Sequence, residues 1–269
     1  MLFQQPTLPP TLADPATWAL TQERVLIWML ALTRVSGLLG AMPGFGTERL
    51  PAQFRVILGV SIATLLAPAL PIPAAARTWG LPEMTFALMG ELAVGLLLGT
   101  LVAWIIEAVA FAGNLMDTQM GFSFVQFLDP VSANPTSVAG SLLGSTAVLL
   151  FFASGLHHVA IQALHDSWRV VPPGRLPTVD ALGMVNFLGQ LLGRGFMLAF
   201  PILGLLFLLD LTLGLAGKFM PQLQLLQLGF PLKIAVGLLL LGFMLRELPV
   251  WLRPLMEQVA RLLPRLIGV

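Results

Sequence analysis

The stretch MTFALMGELAVGLLLGTLVAWIIEAVAFAGNLM, residues 84–116, decides the fold, and its only charged side chains are Glu91 and Glu107. A bilayer requires roughly 20 consecutive apolar residues per spanning helix, so this run predicts a tilted span extended by more than one further turn. Glu91 and Glu107 stand sixteen positions apart. That is about four and a half helical turns, which sets them on opposite sides at different depths and excludes a carboxylate pair.

The rest of the sequence has the same character. Of 269 residues, 57% are hydrophobic and 10% charged, where soluble domains carry about 25% charged residues. The mean hydropathy is +0.89. A formal net charge of +1 with no Lys/Arg cluster argues against nucleic acid as a partner. Cysteine and tyrosine are absent, which excludes disulfides, thiolate metal sites and cysteine nucleophiles. The beginning, with Pro6, Pro9, Pro10, Asp14 and Pro15, lacks the basic head and apolar centre of a cleavable signal, so insertion is expected to use internal helices.

Outward from residue 84, a run from about Trp18 to Met42 holds Glu23, Arg24 and Arg34, and a second, Phe54 to Leu70, is interrupted by Pro68. Together they predict a helical hairpin around the Pro43–Pro51 loop. Asp117 to Pro135 breaks the apolar pattern yet is too apolar for bulk water. Irregular backbone at membrane depth is tolerated only inside protein or along a cavity, because lipid cannot satisfy its polar groups. A fourth run goes from Ser137 to about Leu164, and a polar link covers Ser167 to Asp180. A fifth run, Ala181 to about Gly217, carries Arg194, Pro201 and Asp210, and a sixth, Leu223 to Leu245, carries Pro231 and Lys233. After Arg246 the spacing of Val250, Leu252, Leu255, Met256, Val259, Leu262 and Leu263 predicts an amphipathic helix at a surface or on a partner.

Chemistry-bearing constellations are few. His157-His158 with His165-Asp166 have the residue types of a metal site, against the commoner reading of a helix end whose histidines cap carbonyls or sit at an interface. Gly-x-Ser-x-Gly and a phosphate-cradling Gly-x-x-x-x-Gly-Lys are absent, so neither a hydrolase nor a nucleotide-driven motor is expected, and no metal or cofactor. Gly37, Gly40, Gly90, Gly95 and Gly99 permit close helix approach. Arg34, Arg55, Glu91, Glu107, Arg194, Asp210 and Lys233 are charges in apolar zones, expensive in hydrocarbon and hence expected to pair, across subunits or otherwise, or to face a water-filled path. Twelve methionines suit either a compliant seal or ordinary core filling.

Arg34-Val35-Ser36-Gly37, Pro43, Pro51-Ala52, Arg55 and Pro68 are followed by Gly90-Glu91-Leu92 with Gly95 and Gly99. Ala112-Gly113 then leads to Asp117-Thr118-Gln119-Met120-Gly121-Phe122-Ser123-Phe124 and Asp129-Pro130. Gly155-Leu156-His157, Pro201, Pro221-Gln222 and Gly229-Phe230-Pro231-Leu232-Lys233-Ile234 complete the series. In that order they resemble the FliR/SctT family of type III secretion export gates over nearly the whole chain, and Gly229-Phe230-Pro231 favours the flagellar branch over the virulence one.

The resemblance implies an all-α membrane protein of about six apolar segments in broken, tilted hairpins, similar to a fusion of the two smaller gate subunits FliP and FliQ. Residues 1–180 would be the larger part, with a plug-like loop at 117–135, and 181–269 a two-helix hairpin with the amphipathic tail. It implies a core subunit of the flagellar gate, in the inner membrane at the flagellum basal body, through which unfolded export substrates cross. FliP, FliQ, FlhB and FlhA are the implied partners, and energy comes from an ATPase and the proton gradient acting through other subunits. Gly121, Phe122, Ser123, Phe124, Val125, Phe127, Asp129 and Pro130 would form the plug. The competing readings are a virulence-type gate subunit, a secondary transporter, an intramembrane enzyme built on the histidines, and a purely structural scaffold.

Overall fold

Apolar sequence without water forces backbone N–H and C=O groups to pair within each segment, which makes a helix the economical conformation. In the computed structural model, which describes residues 15–45, 51–70, 79–122, 137–219 and 225–267, the described residues form helices and no strand. They are α1 (Pro15–Ala41), α2 (Ala52–Leu66, continued by a 3₁₀ turn at Ala67–Ala69), α3 (Leu81–Met120), α4 (Val138–Ala153), α5 (Leu156–Val170), α6 (Ala181–Phe219) and α7 (Leu225–Ile267). Five helices are long and apolar enough to cross a membrane, or up to six spans if the bent pair α4–α5 is one. The chain is an all-α membrane protein.

Three boundaries differ from the sequence expectation. Residues 117–120 extend α3 instead of opening the loop, because Gly121, at φ +87°, ends the helix as a left-handed cap. The fourth run is not one helix: Gly155, at φ +70°, breaks it after Ala153, and its halves are bent by 71°. The second half then runs to Val170, four residues into the expected polar link. Finally, the tail after Arg246 is not separate. α7 runs unbroken through Pro249, Pro254 and Pro264, with Leu248, Leu252, Leu255, Met256 and Val259 buried and Val250 exposed.

The chain divides into two compact units. The first comprises Met1–Thr100, Ile161–Val179 and Leu263–Val269. In it α1 and α2 form the expected hairpin, with Trp28 Nε1 donating to Thr64 Oγ1 at 3.0 Å. Against α1, the first half of α3 packs backbone to backbone through glycine. A methyl group on Gly37 would come 2.8 Å from the Leu92 carbonyl oxygen, and one on Gly99 would come 2.6 Å from that of Leu38. Close approach of small residues replaces the hydrophobic drive that lipid does not supply.

The second unit comprises Leu101–Ala160 and Asp180–Leu262. The second half of α3 is central to it, with Leu101, Ile105, Val109 and Met116 buried. α6 meets it at Gly195, where a methyl group would stand 2.6 Å from the Ala108 carbonyl oxygen. α6 and α7 run antiparallel, their register set by the Asp210–Lys233 ion pair and by Gln258 Nε2 donating to Gln190 Oε1 at 3.3 Å. Much of the apolar surface of α6 stays uncovered, including Phe196, Met197, Phe200, Phe207 and Leu211.

Candidate functional site

The end of α3 and the start of α4 are tied together around the loop that joins them. The Phe122 N–H donates to the Asp117 carbonyl at 3.2 Å. With Gly121 left-handed, this is the six-residue closure that satisfies a carbonyl at a helix end. The Asp117 side chain, 2% exposed, turns to α4 instead, and its Oδ1 accepts from the Ala139 N–H at 3.1 Å. Ser137 Oγ accepts from the Gly140 N–H at 2.8 Å. Two of the four free N–H groups at the α4 start are thereby satisfied, with a carboxylate at the positive end of the helix dipole.

The same region admits no side chain on its small residues. A methyl group on Gly113 would lie 2.7 Å from the Ala139 carbonyl oxygen. On Gly121 it would meet the Phe230 ring at 2.7 Å, and Gly237 faces the fully buried Met120. Gly121 and Phe122, half-buried, are the two proposed plug residues that are described; Ser123, Phe124, Val125, Phe127, Asp129 and Pro130 lie outside the described residues. Replacing Asp117 by alanine is expected to lower the unfolding free energy of the full chain by about 1–2 kcal/mol, the cost of a lost cap. Reversible unfolding in detergent, followed by helix content, measures it; an unchanged midpoint would mean that the cap contributes nothing.

In the first unit, two of the charges expected from sequence, Arg34 and Glu91, meet in one cluster. Arg34 and Glu91, both 0% exposed, form a two-pronged pair: Nε donates to Oε2 at 2.6 Å and Nη2 to Oε1 at 3.0 Å. Arg34 Nη1 donates to Ser167 Oγ at 2.8 Å and Nη2 also to the Val171 carbonyl at 3.0 Å. Its Cζ sits 4.8 Å from the centre of the Trp168 ring, a cation–π distance. Glu91 Oε1 accepts once more, from the Gly174 N–H at 3.3 Å. A planar fork with five donors suits this arrangement where a lysine would not. Ser167, Trp168 and the Val171 carbonyl were not singled out by sequence; a Ser-Trp pair closing an apolar helix was the available signal.

The remaining expected charges behave differently. Asp210 and Lys233 pair with each other in the second unit. Glu107 is exposed, whereas Glu91 is buried. Arg55 is half-buried, its Nε without a hydrogen-bond partner, and Arg194 lines a groove between α6 and α7. His157 stacks on Phe152 (5.7 Å between ring centres) and on His158 (4.1 Å), and His158 Nδ1 lies 3.2 Å from the Gly155 carbonyl oxygen. These contacts fit the helix-end reading. Among the described residues no three His, Cys, Asp or Glu side chains come together as a metal would need.

The model of the family "Bacterial export proteins, family 1" matches residues 25–259. The chain is similar to the flagellar biosynthetic protein FliR of Pectobacterium carotovorum subsp. carotovorum, 30% identical over 237 residues, covering 86% of this chain and 88% of that one. It is 29% identical over 258 residues to FliR of Escherichia coli strain K12, covering 92% and 97%. With FliR of Bacillus subtilis strain 168 the identity is 28% over 221 residues, covering 80% and 84%.

Proposed function

The chain belongs to the bacterial export proteins, family 1, and is a component of the flagellar export apparatus; on that premise we propose that it forms part of the export channel and that the segment from Gly121 to Pro130 closes it. The observation that carries this reading is the fixed base of that segment. Asp117, Gly121, Phe122 and Ser137 fix the α3 end and the α4 start that flank it, through hydrogen bonds and a left-handed turn. A closure needs such anchored ends if an export substrate is to displace it without unravelling the helices that carry it.

Phe122, Phe124, Val125 and Phe127 supply an apolar constriction that excludes water and ions. Gly121 and Pro130 shape its turns, and Ser123 and Asp129 are its polar members. The substrates are unfolded flagellar proteins crossing the inner membrane at the basal body. The uncovered apolar faces of α6 and α7 support assembly with further helical subunits, FliP and FliQ, with FlhB and FlhA as neighbours in the apparatus. Residues 1–180 form the larger, channel-bearing part and 181–269 the hairpin that joins it to its neighbours. Binding, not catalysis, is the work of this subunit.

The test is ion conductance of cells expressing the complete apparatus, with the chain intact or lacking residues 121–130. Raised conductance with assembly preserved is the expected result. Unchanged conductance with assembly preserved removes the closure, and loss of assembly leaves a scaffold.

A further inference from the structure

Along α6, residues 195–217 carry a single charge, Asp210, and that charge is paired with Lys233 of α7. The 23 residues span about 34 Å of helix, close to the roughly 30 Å hydrocarbon core of a bilayer. Arg194 stands at one limit of this band. In the antiparallel register, Glu247 and Trp251 of α7 lie at the same limit, after the charge-free stretch 234–245. Tryptophan is favoured where hydrocarbon meets headgroups.

From that limit a groove of about 630 Å³ runs into the band, floored by Leu198, Pro201, Ile202, Leu205, Leu240 and Met244. Arg194 and Glu247 stand at its polar end. Neither has an ion pair or side-chain hydrogen bond with any described residue. The groove extends from residue 194 to residue 205, about 16 Å along the helix. An acyl chain laid along it matches the apolar floor, with a charged headgroup at the Arg194 and Glu247 end.

We propose that this groove holds a phospholipid with an ammonium-bearing headgroup, its phosphate on Arg194, its ammonium on Glu247 and an acyl chain along the apolar floor. Guanidinium and phosphate form charge-assisted, two-pronged hydrogen bonds. A carboxylate beside them selects a zwitterionic headgroup, since it attracts an ammonium and leaves a purely anionic headgroup without a second partner. Such a lipid would cover part of the apolar surface that α6 and α7 leave open. Its binding is independent of whether residues 121–130 close a channel, so either reading can fail alone.

The test uses the full chain in lipid nanodiscs doped with a photoactivatable probe, phosphatidylethanolamine or phosphatidylglycerol bearing the same diazirine acyl chain, with labelled peptides mapped by mass spectrometry. The ethanolamine probe should label residues 197–205 and 240–244 about tenfold more than the glycerol probe, the scale of one charge-assisted hydrogen bond. Arg194→Gln should cut labelling by both probes about tenfold, and Glu247→Gln should abolish the preference between them. Both side chains lie at the groove mouth, so helix content should not change. Leu205→Trp should exclude both probes from the groove. Equal labelling by the two headgroups, or labelling indifferent to Arg194→Gln, would overturn the proposal. So would a benzophenone placed at Leu205 that captures a protein helix instead of lipid in the assembled apparatus.

Discussion

Arg34→Leu is expected to destabilise the full chain by about 3–5 kcal/mol, because it strands Glu91 as an unpaired charge in a fully buried site. Glu91 is 0% exposed, and of its remaining contacts only the Gly174 N–H would stay to hold it. Ser167 and the Val171 carbonyl would lose a donor as well. The double variant Arg34→Leu/Glu91→Leu should recover more than half of the loss, since a buried pair costs much to break and little to replace with apolar side chains of similar volume. Reversible unfolding in mixed micelles, read by helix content, measures all three. A single variant within about 1 kcal/mol of the parent, or a double variant worse than both singles, would show that the pair is not what holds α1, α3 and the α5 end together.

Gly95→Ala comes next in expected effect, at about 1–3 kcal/mol of destabilisation. Its new methyl group would meet the backbone carbonyl of Arg34 and come 3.0 Å from the Leu38 nitrogen. Neither neighbour is the far end of a flexible side chain, so α1 and α3 must separate. That movement also shifts the backbone that aims Arg34 at Glu91, so the packing and electrostatic losses are coupled. Gly193→Ala is the control, because a methyl group there meets nothing within 4 Å. Better helix propensity should make it neutral or stabilising by about 0.5–1 kcal/mol. Shifts of the same sign for the two variants would mean that close backbone approach is not what selects glycine at position 95.

The expected site was only partly legible, and its residues show why. Asp117 stands next to an obvious change of composition, yet its role as a cap for α4 depends on Ala139, 22 positions away. Glu91 reveals itself as a charge in an apolar run, but nothing near it in sequence points to Arg34, which is 57 positions distant, or to Ser167 beyond. Arg194 and Glu247 read as isolated charges until the antiparallel register of α6 and α7 brings them to one groove.

By itself the sequence determined what local physics governs. Long apolar runs demand helices in a membrane, Gly and Pro clusters separate them, and the sixteen-residue spacing of Glu91 and Glu107 sends them to different surroundings. Tertiary structure decided the rest. Whether Gly155 breaks a helix, or whether α7 passes straight through Pro249 and Pro254, depends on neighbouring helices that hold the chain in place. Periodicity carries no information about such contacts. Which charges pair, and which glycines touch another backbone, follow from the same long-range packing, where a displacement of one ångström separates a hydrogen bond from a clash.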